Sequence, residues 1–374
     1  LGKQMNAIGH LLFAKEGVAV RCGMPKAAVE ELVRTLLKGG LTLAPDWCTQ
    51  RGHHGHEPEH GHAHHHADHA DYGERIMTRC SAGLAIAMLL LLAHGFGVVG
   101  NVQAQSGKNS PPTLAPEILN RIDAAAPSAA TVKPKQARRI LVFWRCEGFF
   151  HGEGIAAANH AIASMGRKTR AYIADFSAEY NVFEPANLAK YDEVVLNNTT
   201  QLKLTQGAKR ALLDFVRSGK GMVGIHAATD SFYEWPEGAA MLGGLFDGHP
   251  WGGDGTWAFK VDDPKHPLDQ IWGGKGFKLQ DEIYQFKAPY TRADRRVLIS
   301  LDLSDRATGA VQNGLKRTDG DFAVAWIKRH GEGRVFYCSL GHAENVFQDA
   351  RVLRFYLDGI QFALGDYEVN ANPR

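Results

Sequence analysis

No sign of charge dominates this 374-residue chain: 42 Lys and Arg stand against 40 Asp and Glu, a formal net charge of +2. Neither a basic stripe nor interleaved aromatics of the nucleic-acid-binding kind are present, so no nucleic-acid partner is expected. Cysteine is scarce. Of five cysteines, Cys22, Cys48 and Cys80 precede residue 104, and only Cys146 and Cys338 follow it. Neither sits in a C-x-x-C or zinc-type spacing, so there is no disulfide framework, and both are expected on strands near the carboxyl edge of a sheet. No pair of carboxylates stands out as the acid and nucleophile of a glycosidase.

What is present changes along the chain. The hydrophobic content of 44% is that of a globular protein. Residues 1–76 contain one amphipathic helical pattern, Lys26 to Lys38, with Val29, Leu32, Val33, Leu36 and Leu37 on one face. A run from His53 to His69 comes next and holds nine of the eighteen histidines. Clustered imidazoles are good ligands for zinc, nickel or copper, although a polar linker accounts for the same composition. From Met77, Arg79 leads into the apolar run that starts at Ala82, and Val102-Gln103-Ala104 offers a small-residue cleavage site. Residues 77–104 therefore read as a secretory signal peptide with translation starting at Met77, or as a membrane anchor if the 82–99 segment is retained. Either reading exports the chain beyond residue 104, to the periplasm or the extracellular side. Residues 105–138, rich in Pro, Ala, Ser and Lys without periodicity, read as a linker.

Residues 139–366 have the alternation of a doubly wound parallel α/β sheet. Arg139 to Trp144 is a first strand, followed by a glycine-bearing loop with His151 and a helical pattern from Ile155 to Met165. Arg170 to Ile173 and Glu193 to Asn197 are further strands. Thr205 begins a helix that Gly219 closes. Next comes Gly221-Met222-Val223-Gly224-Ile225-His226-Ala227-Ala228-Thr229-Asp230, a buried strand that stops abruptly on a histidine. In parallel sheets ligands bind beyond the carboxyl ends of the strands, and small residues around a strand-to-helix turn make the elbow that pushes one side chain into a pocket. For an isolated histidine, capping a strand is the commoner role. The later half is strand-rich: Trp257 to Val261, Asp281 to Phe286, Arg296 to Leu301, Phe322 to Lys328 and Arg334 to Ser339. The last of these ends at Gly341-His342, before an amphipathic helix from Asp349 to Leu364.

Gly148-Phe149-x-His151, the elbow from Val223 to Asp230, Phe246-Asp247-Gly248-His249-Pro250, Asp281-Glu282-x-Tyr284, Ala325-Trp326 and Gly341-His342 together carry a resemblance to the ThuA-like (trehalose utilisation) family. It covers nearly all of the region after Arg139 and none of residues 1–104. The resemblance implies a flavodoxin-like fold of the class I glutamine amidotransferase type. Those amidotransferases need a thiolate at the elbow, and His226 stands there instead, which excludes glutaminase chemistry. It also implies a small-molecule carbohydrate as substrate, a disaccharide or its 3-keto form. His151, His226 and His342 are expected to converge, with Glu282 or Asp247, on a divalent metal such as zinc, or to perform acid/base work. The expected catalytic set is His226, His342, Glu282, Tyr284 and Asp230. Trp235, Asp247, His249, Trp251 and Asn197 are expected to bind substrate. No nucleotide cofactor is expected. The alternative is a non-catalytic carbohydrate-binding module on the same fold.

Overall fold

The computed structural model describes residues 110–374 and, before them, the backbone of 11–14 and 17–20. The earlier unit contains an antiparallel pair, Leu11–Ala14 with Gly17–Val20. The helical pattern at 26–38, the histidine run at 53–69 and the segment at 77–104 lie outside the described residues, as do Cys22, Cys48 and Cys80.

A nine-stranded sheet organises the second unit: β1 (Arg139–Phe143), β2 (Ile173–Ser177), β3 (Glu193–Asn197), β4 (Gly221–Ile225), β5 (Thr256–Val261), β6 (Phe277–Gln280), β7 (Arg296–Leu301), β8 (Ala323–His330) and β9 (Gly333–Cys338). Their spatial order is β2-β1-β3-β4-β9-β8-β7-β5-β6. The first five are mutually parallel, in the 2-1-3-4-5 order of flavodoxin-like folds. Beyond β9 the remaining strands each pair antiparallel with the one before, which accounts for the strand-rich C-terminal half. Every residue of β3 and β4 is buried. Parallel strands covered on both faces need apolar side chains on both, hence the runs VVL at 194–196 and MVGI at 222–225.

Two helical layers cover the sheet. One core joins the sheet to α1 (Pro116–Ala125), α2 (Gly152–Thr169) and α5 (Ala350–Ala363). The other joins it to α3 (Gln206–Arg217) and α4 (Pro236–Leu242). Thr205 caps α3 as its sequence suggests, its hydroxyl accepting the Ala208 N–H at 3.2 Å. Among the described residues no helix is long and apolar enough to cross a membrane.

Three expectations are corrected. The described part of the supposed linker is folded onto the domain: Ile122 of α1 is fully buried, and the Gln361 amide bridges Thr131 N and Val132 O at 2.8 and 2.7 Å. Such tethering is long-range and leaves no periodicity in the sequence. The strand expected at Arg170 begins at Ile173, because α2 runs to Thr169 and Arg170 turns the chain with a φ of 56°. Asp281 to Phe286 is not a strand. Phe277–Gln280 is the strand; further on, Ile283 makes a single antiparallel bridge to Trp251 and Phe286–Lys287 pairs with Leu245–Phe246. Between them Asp281, Glu282 and Tyr284 turn toward the loops that carry Gly341 and His226.

Candidate functional site

Three strand ends converge. His151 follows β1 and opens α2, His226 follows β4, and His342 lies four residues beyond β9. At His226 the backbone turns with φ 45°, a left-handed conformation that is uncommon for a non-glycine residue. The turn sends the imidazole inward, where it is fully buried, and a short 3₁₀ segment, His226–Thr229, continues the chain. The Tyr337 hydroxyl donates to the His226 carbonyl at 2.7 Å and pins the turn from the neighbouring strand. Gly341 (φ 135°) lets the second histidine approach: a Cβ there would lie 3.1 Å from Ile225 Cγ2.

The side chains make one cluster. His226 Nε2 is 3.3 Å from His342 Nδ1, His342 Nδ1 is 3.3 Å from Glu282 Oε1, and His226 Nε2 is 3.7 Å from the same oxygen. The ring of His151 stands nearly perpendicular to both other imidazoles, with centroids 5.0 and 5.1 Å away. One ligand atom from each of the four residues falls within 4.8 Å of all the others. His226 Nδ1 lies 2.7 Å from the Ser339 carbonyl, an acceptor only, so Nδ1 carries a proton and Nε2 is the nitrogen that faces the cluster. The Tyr284 hydroxyl is 3.4 Å from His151 Nε2, and His151 Nδ1 is buried without a hydrogen-bond partner.

Burial, then the neighbouring His226 and His342, push His151 down to about 2, so it offers a neutral lone pair at any ordinary pH. Burial alone would raise Glu282, but the adjacent imidazoles of His226 and His342 outweigh it and hold the carboxyl well below its usual range. His342 shows the reverse balance: burial lowers it and Glu282 raises it further, for a net rise. Tyr284 is raised well above the ordinary phenol by burial and by Glu282, so it stays a hydrogen-bond donor.

Of the carboxylates offered by the sequence, Glu282 joins the histidines; Asp247 pairs with Lys316 Nζ at 2.9 Å instead. His249 lies at the rim, its Nδ1 3.1 Å from Glu282 Oε2 and its side chain half exposed. Asp230 takes the Tyr233 hydroxyl and does not enter the donor set. Asn197 is turned into the protein, its amide donating to Ile155 O and Asn159 Oδ1 at 3.1 and 3.0 Å. Neither tryptophan expected to bind substrate presents its ring to solvent. Trp251 is fully buried against Phe322 with its indole N–H on Thr308 O, and Trp235 packs on Phe232. Both rings fill core space between elements, which local sequence does not reveal.

Two contributors are invisible in the sequence pattern. The buried Asp281 carboxylate accepts the Gly341 and His342 N–H groups at 2.7 and 3.1 Å, fixing the loop that carries His342. Asn198 donates to the Gly341 carbonyl at 3.2 Å. Asp281 stands beside Glu282 in the motif, but only the fold brings it to residue 341. Cys338 ends β9 at the carboxyl edge of the sheet, as expected, whereas Cys146 lies beyond the end of β1 in a single bridge to Thr200; burial raises their thiols to about 12 and about 11. Neither is a thiolate nucleophile at neutral pH.

A family model described as ThuA, trehalose utilisation, matches residues 139–363, well over half of the chain. The chain belongs to the ThuA family. Membership of this ThuA domain implies a role in trehalose utilisation or carbohydrate handling. Among solved structures, a ThuA-like protein from Bacteroides uniformis is similar in fold at 21% identity and TM-score 0.51, covering 62% of this chain and 94% of that one. A ThuA-like protein from Parabacteroides merdae aligns at 17% identity and TM-score 0.47, covering 64% and 98%. No curated protein matches the chain. The cluster of His151, His226, Glu282 and His342 lies wholly within the ThuA domain and could hold a metal.

Proposed function

We propose that this ThuA protein is an exported enzyme acting on a disaccharide or 3-keto-glycoside, with His151, His226, His342 and Glu282 holding one divalent first-row metal. The observation that carries the reading is the donor spacing. A tetrahedral zinc with donors about 2.1 Å away separates them by about 3.4 Å; the three distances among His226, His342 and Glu282 are 3.3, 3.3 and 3.7 Å. A donor set rich in imidazole with one carboxylate suits zinc and its neighbours rather than magnesium or calcium. The Ser339 carbonyl orients His226 as outer-shell acceptors orient ligating histidines. The orphaned Nδ1 of the neutral His151 supports the same fit. When bound, such a metal supplies a Lewis acid and lowers the pKa of its water.

The chain's own groups supply the rest. Tyr284, protonated and held toward His151, is placed to donate to a sugar carbonyl or hydroxyl oxygen. His249 at the rim, tethered to Glu282 Oε2, is placed to exchange protons with solvent. Export rests on the signal-like segment before residue 105. The decisive experiment compares wild type and His226→Ala on trehalose and its 3-keto derivative. The reading predicts metal-dependent turnover that His226→Ala abolishes in a folded protein that still binds sugar. A wild type that binds the sugars but turns over neither, with or without zinc, would instead make the domain a binding module.

A further inference from the structure

The donor cluster needs a surface on which a sugar can lie, and the tryptophans offered by the sequence are buried elsewhere. Among the described residues four large apolar side chains are substantially exposed: Phe149, Ile173, Tyr233 and Leu303. A single exposed hydrophobic is ordinary on a protein surface. Phe149 differs in where it stands and in how it is held. At 66% exposure it is the most open of the four, and it lies two residues before His151, with ring centroids 4.7 Å apart and planes 72° apart. Its neighbour Phe150 turns inward onto Trp144, Cys146 and Ile155.

The loop cannot easily tuck Phe149 away, because Thr200 fixes the backbone on both sides. The Thr200 carbonyl accepts Glu147 N at 2.9 Å, and its hydroxyl bridges Gly148 N and Phe149 O at 3.1 and 3.0 Å. An aromatic ring is therefore preset at the mouth of a polar, ligand-bearing centre. A pyranose has the matching chemistry: an apolar C–H face to lie on the ring, and rim oxygens that reach the imidazoles and Tyr284.

We propose that Phe149 is the stacking platform for one pyranose unit of the substrate and sets the site's preference for ring-closed sugars. The proposal rests on the carbohydrate reading of the site. It makes Phe149 a residue that binds ground state and transition state alike, so its loss should raise KM and leave kcat nearly unchanged.

The test titrates the full-length wild type, Phe149→Ala and Phe149→Trp with trehalose and with 3-keto-trehalose, and separately with zinc. Phe149→Ala should weaken sugar binding roughly tenfold or more, Phe149→Trp should restore it to within a few-fold, and zinc affinity should be the same in all three. Equal sugar affinity in wild type and Phe149→Ala would overturn the platform while leaving the carbohydrate reading intact. Loss of zinc affinity in Phe149→Ala would overturn it too, by showing that the ring supports His151 rather than the sugar. A wild type that binds neither sugar would instead overturn the carbohydrate reading itself, and the platform with it.

Discussion

Gly154 tests whether the geometry of the cluster, and not merely its composition, matters. It lies in the first turn of α2 and supplies no ligand atom, yet a Cβ at this position would sit 2.5 Å from the His342 carbonyl oxygen and 2.7 Å from that of Gly341. Restoring ordinary contact at about 3.5 Å requires the His342 loop to retreat by about an ångström. Asp281 and Asn198 hold that loop from its other side, so the shift costs about 1–3 kcal/mol as overpacking does elsewhere. In a helix free of such contacts the same change is favourable by up to about 1 kcal/mol. Gly207 on α3, where a Cβ would meet nothing nearer than Thr205 Oγ1 at 3.8 Å, supplies that control. Gly154→Ala should therefore lower the urea midpoint while Gly207→Ala raises it or leaves it unchanged. A donor displaced well beyond the tolerance of about 0.2 Å for a metal bond should also cost at least tenfold in the zinc affinity of the cluster, read by competition with a chromogenic chelator against a His226→Ala reference that reports the chain's other histidines. A Gly154→Ala protein as stable as wild type, with unchanged zinc affinity, would refute the reasoning.

Burial, with Asp263 and Asp262 nearby, raises Asp269 to about 9, and neither of its carboxylate oxygens has a hydrogen-bond partner. The folded protein keeps this proton where the unfolded chain, ionising near pH 4, has lost it. Its stabilising contribution is therefore complete below about pH 4 and is lost as pH rises toward about 9; Asp269→Asn should flatten that slope in urea titrations at pH 5 and 8, and an unchanged slope would count against it. Trp251→Phe leaves the Thr308 carbonyl unpaired in the core, so it should lower stability by about 1–3 kcal/mol without altering zinc or sugar affinity. A change in sugar affinity alone would return Trp251 to the site. Thr205→Ala removes the cap of α3 and should cost about 1 kcal/mol, a few degrees in Tm, with activity untouched.

The parallel half of the fold was legible because its signals are local. Continuous apolar runs mark strands buried on both faces, and Asn197, His226 and Gly341-His342 mark the carboxyl ends of three of them. The same signals placed His151, His226 and His342 on one edge, and the motif around Asp281-Glu282-x-Tyr284 located the carboxylate. Side-chain destinations were less legible. An aromatic next to a polar loop reads alike whether it faces solvent or core, so the sequence alone puts Trp235 and Trp251 at the substrate site although the fold buries both. Asp281 and Ser339 act on residues 61 and 113 positions away, a relation that no local pattern encodes. Residues 110–138 carry linker composition because their fixing contacts come from the far end of the chain, at Asp358, Gln361 and Asp366.

The central claim is that one metal sits among His226, His342, Glu282 and His151. Bulk metal content does not isolate that site, because nine histidines crowd the run from His53 to His69. Anomalous diffraction from zinc-grown crystals of wild type and His226→Ala does isolate it. The account predicts a single strong zinc peak within about 2.2 Å of nitrogen atoms of His226 and His342 and an oxygen of Glu282, absent from the His226→Ala crystals. A wild-type map with no peak there, under zinc that loads other histidines of the same chain, would contradict it.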